Sequence, residues 1–248
     1  MKQIILIINF ILFTFLFTSC KKENAGDCFK TSKHVTTETR NISGFKKIRI
    51  DDKFDVFVKQ GQGYEVKVEA GKDLLSNIKT EVTDSILYLK NINKCNFMRN
   101  PKNPSLKIYI TLPYLRYIRN GSTGKLKFEN CFIQDSMEVR IGNSGDVYID
   151  VNLKYLTTST HGNGDLYVTG KADYSTHYTN GTNYLHFENL VIKNQLVLSS
   201  YTIGDCYVNA PENGYASFEI WEAGNVYYTG NPANLDVKLK GKGQAYKQ

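Results

Sequence analysis

Apolar and polar residues alternate along most of this chain, and in its second half the alternation restarts about every twenty residues at a glycine. The restart reads Gly145-Asp146-Val147-Tyr148, Gly164-Asp165-Leu166-Tyr167, Gly204-Asp205-Cys206-Tyr207, Gly224-Asn225-Val226-Tyr227 and, degraded, Gly243-Gln244-Ala245-Tyr246. An earlier degenerate copy is Gly124-Lys125-Leu126-Lys127. Alternation with period two marks strands with one buried face. Two and four residues after the glycine stand Val147 and Ile149, Leu166 and Val168, Cys206 and Val208, Val226 and Tyr228, which should point inward. Before it, Met137, Val139 and Ile141, then Leu196, Leu198 and Ser200, Ala216, Phe218 and Ile220, and Leu235, Val237 and Leu239 should do the same.

A fixed period of this length predicts one coil stacked on itself. A β-sandwich would need a hairpin turn after every strand and gives no reason for one corner phrase to recur. A propeller blade needs about twice this period. The predicted fold is therefore all-β, a single-domain parallel β-helix (β-solenoid) with coils of about 20 residues and a less regular N-terminal strand region.

The corner phrase has a chemical reading. Glycine is the default where a backbone needs positive φ, and a following Asp or Asn can close an Asx-turn on its own backbone. Stacking would place Asp146, Asp165, Asp205 and Asn225 in a row about 4.8 Å apart per coil. Such a row suggests calcium, but the calcium-binding nonapeptide repeat has a shorter period, so the structural turn is preferred. Between Gly164 and Gly204 there is room for two coils. The intermediate corner, Asn180-Gly181-Thr182-Asn183-Tyr184, fits only with a one-residue slip and predicts a bulge or widened corner.

Residues 42–118 are less regular. Segments 45–50, 54–58, 64–69, 86–89 and 106–111 alternate as strands, and Gln60-Gly61-Gln62-Gly63 predicts a hairpin joining the second and third. Its Gly-x-Gly is not followed by a helix, which argues against phosphate binding. Lys72–Asn77 reads as a helical turn, and the Asn- and Pro-rich residues 91–104 as a surface loop.

The export route is legible near the N-terminus, while cysteine usage is compatible with an oxidising compartment without being diagnostic of it. Lys2 followed by an apolar run of about 14 residues, 4–17, has the length of a signal h-region and is too short to span a bilayer. The run ends in Phe17-Thr18-Ser19-Cys20, which resembles the lipobox of bacterial lipoproteins and implies a diacylglyceryl anchor on Cys20. Residues 1–19 then form the signal peptide, 20–41 a lipidated N-terminus and tether, and 42–248 the solenoid domain. Removing residues 1–19 takes one lysine from 31 basic residues and none of the 24 acids, leaving +6. That excess favours anionic lipid heads or acidic glycans. Lysines scattered over alternating strands of an exported chain do not indicate nucleic acid. Cys206 stands in an apolar slot, Cys28 and Cys95 lie where a bridge could join them, and no Cys/His spacing suggests zinc or any other cofactor.

Gly44-Phe45 opening a strand, then Phe54-Asp55-Val56-Phe57-Val58-Lys59-Gln60-Gly61 and serial Gly-(Asp/Asn) corners, resembles the head GIN domain family of auto-transporter adhesins. The resemblance spans residues 42–246 and implies a parallel β-helix with an adhesin-like role and no inherited catalytic residues. The chain departs from the pattern at Lys125, around Thr182 and at Gln244.

Two outward rows carry the candidate chemistry. Tyr148, Tyr167, Tyr207, Tyr227 and Tyr246, joined by Tyr184, follow the corners by three residues; His161, Tyr201 and Trp221 precede them by three. These aromatics either stiffen an exposed sheet or form a platform for sugar rings. A polysaccharide lyase or hydrolase on this scaffold would need clustered carboxylates or a carboxylate–arginine set. Arginine stops at Arg140, the corner acids are spread one per coil, and no Gly-x-Ser-x-Gly elbow is present. The sequence therefore points to a lipid-anchored, non-catalytic envelope protein, most plausibly of an outer membrane, with polysaccharide, another envelope protein or a further copy of itself as partner. A polysaccharide-active enzyme and a purely structural, self-associating subunit are the alternatives.

Overall fold

A computed structural model describes residues 34–93 and 106–248. The signal segment, Cys20, Cys28, Cys95 and most of the asparagine-rich loop lie outside the described residues. The strands of the N-terminal part are β1 (Val35–Arg40), β2 (Lys47–Ile50), β3 (Asp55–Gln60), β4 (Glu65–Gly71), β5 (Ile78–Thr83), β6 (Ile86–Asn91), β7 (Lys107–Leu112), β8 (Tyr117–Asn120) and β9 (Leu126–Phe128). The regular coils follow as β10 (Phe132–Ile141), β11 (Val147–Gly162), β12 (Leu166–Gly181), β13 (Leu185–Phe187) and β14 (Leu190–Thr202). The last are β15 (Cys206–Asn209), β16 (Tyr215–Ile220), β17 (Val226–Thr229), β18 (Asn234–Leu239) and β19 (Ala245–Lys247).

From β8 onward every pairing is parallel and joins one coil to the next, so the chain is a β-solenoid. One inward column runs Val147, Leu166, Leu185, Cys206, Val226, Ala245, with register steps of 19, 19, 21, 20 and 19 residues. Two walls result. The first contains β7, β3, β9, the starts of β11 and β12, then β13, β15, β17 and β19. The second contains β6, β2, β8, β10, the ends of β11, β12 and β14, then β16 and β18. Their inner faces enclose one continuous core in which Phe45, Phe132, Phe187 and Phe218 have no accessible surface. Burying a side chain of this size contributes about 1.5–3 kcal/mol. Cys206 sits in this core as a small hydrophobe, as its slot predicts.

The corner glycines do not owe their place to positive φ, which occurs instead at Gly162 and Gly181, both at φ 112°. A Cβ on Gly145 would overlap the carbonyl oxygen of Gly124, on Gly164 that of Gly145, on Gly224 that of Gly204, and on Gly243 that of Gly224. Coils approach so closely at these four corners that a side chain there would push them apart, whereas at the equivalent place between Gly164 and Gly204 the edge takes Asn183.

The slip predicted around residue 181 disappears for the same reason. Gly181 pairs with Gly162, two residues before the corner, and the 19-residue register runs unbroken from Val147 through Leu185. Asn183 and Tyr184 occupy the places of Gly164 and Asp165, and the irregularity falls on β14, where Ile192 to Gln195 takes one residue more than the facing Ala172 to Tyr174. Matching glycine to glycine by sequence selected the wrong one of two.

Two N-terminal expectations change. The segment taken as the end of the tether contains β1, antiparallel to β4; its exposed, polar face carries no alternation to read. Gln60–Gly63 reverses the chain but closes no hairpin, because β7 lies between β3 and β4, parallel to one and antiparallel to the other. A turn sequence specifies reversal, not the partner. The hairpin actually present joins β5 and β6 through Asp84 and Ser85, both at positive φ, the two-residue geometry that matches strand twist. Lys72–Asn77 forms a 3-10 turn that buries Leu74 and Leu75, as its sequence suggests.

The last coil also differs. Leu235, Val237 and Leu239 occupy inward positions but remain 40%, 37% and 46% exposed, because among the described residues β18 is paired only with β16.

Close approach at the corners predicts that Gly224→Ala lowers unfolding free energy by about 1–3 kcal/mol in urea denaturation. Gly63→Ala, whose Cβ would meet nothing within 4 Å, should change it by less than about 0.5 kcal/mol. Equal effects would refute the close-approach explanation.

Candidate functional site

Outward residues of the first wall form one register column: Tyr109, Phe57, Lys127, Tyr148, Tyr167, His186, Tyr207, Tyr227, Tyr246. From Tyr148 onward the ring centroids are separated by 4.5, 4.3, 5.6, 5.3 and 5.5 Å, at interplanar angles of 24° or less. The predicted row therefore exists, with His186 rather than Tyr184 in its middle place. Tyr184 stands at the corner, 6.5 Å from the His186 ring. Each internal ring spends its faces on its neighbours and presents an edge and a polar tip to solvent. Stacking of this kind contributes about 0.5–1.5 kcal/mol per pair beyond area burial. Burial and the adjacent corner carboxylates, Asp146 and Asp165 or Asp205, push the phenols of Tyr148, Tyr167 and Tyr207 up, so they remain neutral hydrogen-bond donors. The faces needed by a sugar ring are covered along this ladder.

The corner acids act between coils rather than within a turn. Asp146 accepts the backbone N–H of Asp165 at 3.1 Å, Asp165 that of Tyr184 at 2.8 Å, and Asp205 that of Asn225 at 2.8 Å. Asn225 accepts the N–H of Gln244 at 3.0 Å, and in the irregular part Asp55 accepts that of Lys125 at 3.0 Å. A carboxylate on a backbone donor is a charge-assisted bond, worth more than a neutral pair. The local Asx-turn expectation thus gives way to an inter-coil clamp. Among the described residues, no three His, Cys, Asp or Glu side chains are placed to hold a metal ion.

On the second wall, Tyr201 and Trp221 stack at 5.1 Å and 9°, and Tyr178 links Tyr201 to His161 with centroids 5.3 Å apart on each side. Asn180 takes the register place between His161 and Tyr201, so this row continues only because the Tyr178 ring fills the gap. Trp221 is 40% exposed.

Sequence reasoning passed over a polar seam inside the core. Ser175, His177, Thr158, Thr160, Thr179, Asn183, Ser200 and Thr202 are buried. The imidazole of His177 meets Thr158 Oγ1 at 2.7 Å through Nδ1 and Ser175 Oγ at 2.6 Å through Nε2. Thr160 and Thr179 both reach Asn183 Oδ1, and Asn183 donates to the carbonyls of Gly162 (3.1 Å) and Asn180 (2.8 Å). Alternation of Ser and Thr at inward positions was the available signal. The Ser175–His177 contact is no nucleophile–base site, since both residues are sealed from solvent at 1% exposure. Ser159 and His161 touch at 2.7 Å on the outer surface, again two residues apart along one strand, where any same-face neighbours meet. Burial alone lowers the His177 pKa to about 3; burial, opposed by the Ser200 contact and aided by the Asp205 charge, raises that of the Cys206 thiol to about 12.

A second feature unseen in the sequence is a groove of about 510 Å³ on the second wall. It is lined by Lys47, Arg116, Tyr117, Glu138, Arg140 and Tyr155, among others. Parallel register sets Arg49, Arg119 and Arg140 in consecutive strands. Asp51 pairs with Arg49 at 2.9 Å and Arg119 at 3.5 Å, and Glu138 with Arg140 at 2.8 Å. Lys47, Arg116 and Arg140 against Glu138 leave the lining cationic. Tyr155, 46% exposed, stacks on Tyr174 at 5.2 Å and carries the Lys154 ammonium 5.2 Å from its centroid; its register neighbour on the side away from Tyr174 is Ser136, too small to cover a ring. Arginines far apart in sequence give no linear motif, which is why the groove could not be read there.

A solenoid of adhesin type is the class these features define, and the chain belongs to the family described as "putative auto-transporter adhesin, head GIN domain", whose model matches residues 44–232. A crystal structure of a putative adhesin from Bacteroides fragilis aligns with TM-score 0.79 at 23% identity, over 88% of this chain and 98% of that one. A protein from Parabacteroides distasonis described as a putative lipid binding protein aligns with TM-score 0.67 at 19% identity, over 87% and 97%. A putative adhesin from Parabacteroides merdae aligns with TM-score 0.62 at 15% identity, over 87% and 97%. No curated protein matches the sequence. These likenesses establish the fold and the family. No helix among the described residues is long and apolar enough to cross a membrane.

The folded His177 binds its proton far more weakly than an ordinary histidine, so the unfolded chain takes up more protons as pH falls. His177 therefore costs no stability above pH 6.5 and an increasing amount from there down towards pH 3, about 1.4 kcal/mol per unit at the steepest. Urea denaturation at pH 7.5, 6, 5 and 4 should show a smaller acid loss for His177→Gln than for the parent. Parallel pH profiles would contradict the buried neutral imidazole.

Proposed function

We propose that this protein is a non-catalytic, lipid-anchored adhesin of the bacterial envelope that recognises acidic polysaccharide through the groove of Lys47, Arg116, Arg140 and Tyr155. The observation that carries this reading is the union, in one groove, of an excess of positive charge, Lys47 and Arg116 beside the Arg140–Glu138 pair, with an aromatic ring whose next register neighbour is a serine. Uronate or sulfated sugars offer what such a site takes: carboxylate or sulfate oxygens for guanidinium forks, and an apolar ring face for the tyrosine. The family membership supports the adhesive role, and Cys20 with its preceding Phe17-Thr18-Ser19 supports the lipid anchor. His161, Tyr201 and Trp221 lie on the same wall and extend the contact surface towards the C-terminal end. The ladder of Tyr148, Tyr167, Tyr207 and Tyr227 serves mainly to stiffen the first wall.

The similarity to a protein described as lipid binding favours one further arm in the test, because a phospholipid phosphate would meet the same cations. Binding of the protein to immobilised polygalacturonate, to a neutral glucan and to phosphatidylglycerol vesicles separates the outcomes. Polygalacturonate should be retained and weakened about tenfold or more by Arg116→Ala and by Tyr155→Ala, with circular dichroism unchanged. Vesicle binding sensitive to Arg116 without polygalacturonate binding would replace the glycan reading with a lipid one. Indifference of all ligands to both variants would remove the groove from consideration.

A further inference from the structure

The two ends of the solenoid are finished differently. At the N-terminal end the outermost strands are β1 and β5, both antiparallel to their neighbours. β1 is a polar strand, Val35-Thr36-Thr37-Glu38-Thr39-Arg40, with Glu38 and Arg40 paired at 3.0 Å, and the 3-10 turn packs Leu74 and Leu75 beside it. Reversed, charged edge strands of this kind blunt a sheet against further pairing. At the C-terminal end the outermost described strands are β18 and β19, both parallel to their neighbours. Strand β18 has hydrogen-bonding groups directed away from β16 with no strand opposite among the described residues. Leu235, Val237 and Leu239 face the axis as Ala216, Phe218 and Ile220 do one coil earlier, yet those three are fully buried and these are not.

The sequence of that strand is self-complementary. Around Val237 it reads Leu235-Asp236-Val237-Lys238-Leu239: apolar residues are symmetric about the centre and the two charges are opposite. Placed antiparallel to a second copy with Val237 opposite Val237, it sets Leu235 against Leu239 and Asp236 against Lys238, each twice by symmetry. Opposite residues of an antiparallel pair lie on the same face, so the leucines and valines would close the exposed core while the charges pair outside. A twofold axis requires this property, that each residue meets its mirror-position partner with complementary chemistry. Within the chain Lys238 also approaches Glu219 at 3.0 Å and Asp236 at 3.5 Å, so its ammonium is already held on the outer face of the strand.

We propose that two copies of this chain join C-terminal end to C-terminal end through antiparallel pairing of β18 centred on Val237. Head-to-tail stacking into a filament does not follow, because the blunted N-terminal end offers no matching edge. The pairing is independent of the groove, which lies on the second wall between β2, β8, β10 and β11.

The test uses the full lipidated chain extracted in mild detergent, with its mass followed by light scattering over a concentration series. The parent should be dimeric. Asp236→Lys sets lysine against lysine and Lys238→Asp sets aspartate against aspartate; each should weaken the dimer about tenfold or more. The double exchange Asp236→Lys/Lys238→Asp should restore it, an outcome that neither nonspecific apolar association nor an unrelated partner would produce. Since Lys238→Asp also places an acid beside Glu219, circular dichroism checks folding, and Val237→Cys supplies a second readout. It should form an intermolecular disulfide in intact cells, whereas Ser217→Cys, one coil inward, should not. A monomeric parent, single exchanges without effect, a double exchange that fails to restore the dimer, or cross-linking of Val237→Cys only to a different protein would each overturn the proposal.

Discussion

Backbone-to-backbone contact at the glycine corner is the constraint on which the remaining architecture depends. The carbonyl oxygen of one corner occupies the space in which the next coil's Cβ would stand, at Gly145, Gly164, Gly224 and Gly243 alike. With that edge pinned, a coil can neither slide nor tilt relative to its neighbours, and the parallel register carries through both walls. Asp146, Asp165, Asp205 and Asn225 tighten the edge further by accepting a backbone N–H from the following coil. Glycine and acid thus work as one device, the first allowing approach and the second holding it.

Strict register has a chemical consequence outside the barrel of the coil. Like residues fall on like residues, and aromatic ones satisfy each other face to face, as from Tyr148 to Tyr246. Such a ladder rigidifies a wall but consumes the surfaces that recognition would need. Uncovered surface is left where the repetition fails: in the groove where Ser136 precedes Tyr155, and at the edge of β18, beside which no further strand lies among the described residues. The same logic places His177 in the core. Its two ring nitrogens are satisfied by Thr158 and Ser175, so a residue type usually linked to catalysis is here a neutral cross-brace.

Membership of an adhesin family and likeness to adhesin structures agree with this division of labour. The corner acids Asp146, Asp165 and Asp205 are distributed singly, one per coil, and each is bonded to backbone of the next coil.

The linear sequence determined the solenoid, the inward set from Val147 to Val226, the buried state of Cys206 and the existence of an aromatic row, because each of these follows from periods of two and twenty. It could not determine which glycine stacks on which. Gly162 and Gly164 are equivalent as letters, and only the packed coils chose Gly162 as the partner of Gly181, moving His186 into the row and Tyr184 out of it. Nor could it show β7 separating β3 from β4, since turn residues encode a change of direction and strand partners are chosen by burial across the whole sheet. The cationic groove belongs to the same category: Lys47, Arg116 and Arg140 meet only because coils of unequal origin lie side by side. Local pattern is set by the covalent chain, but adjacency is set by which surfaces must leave water together.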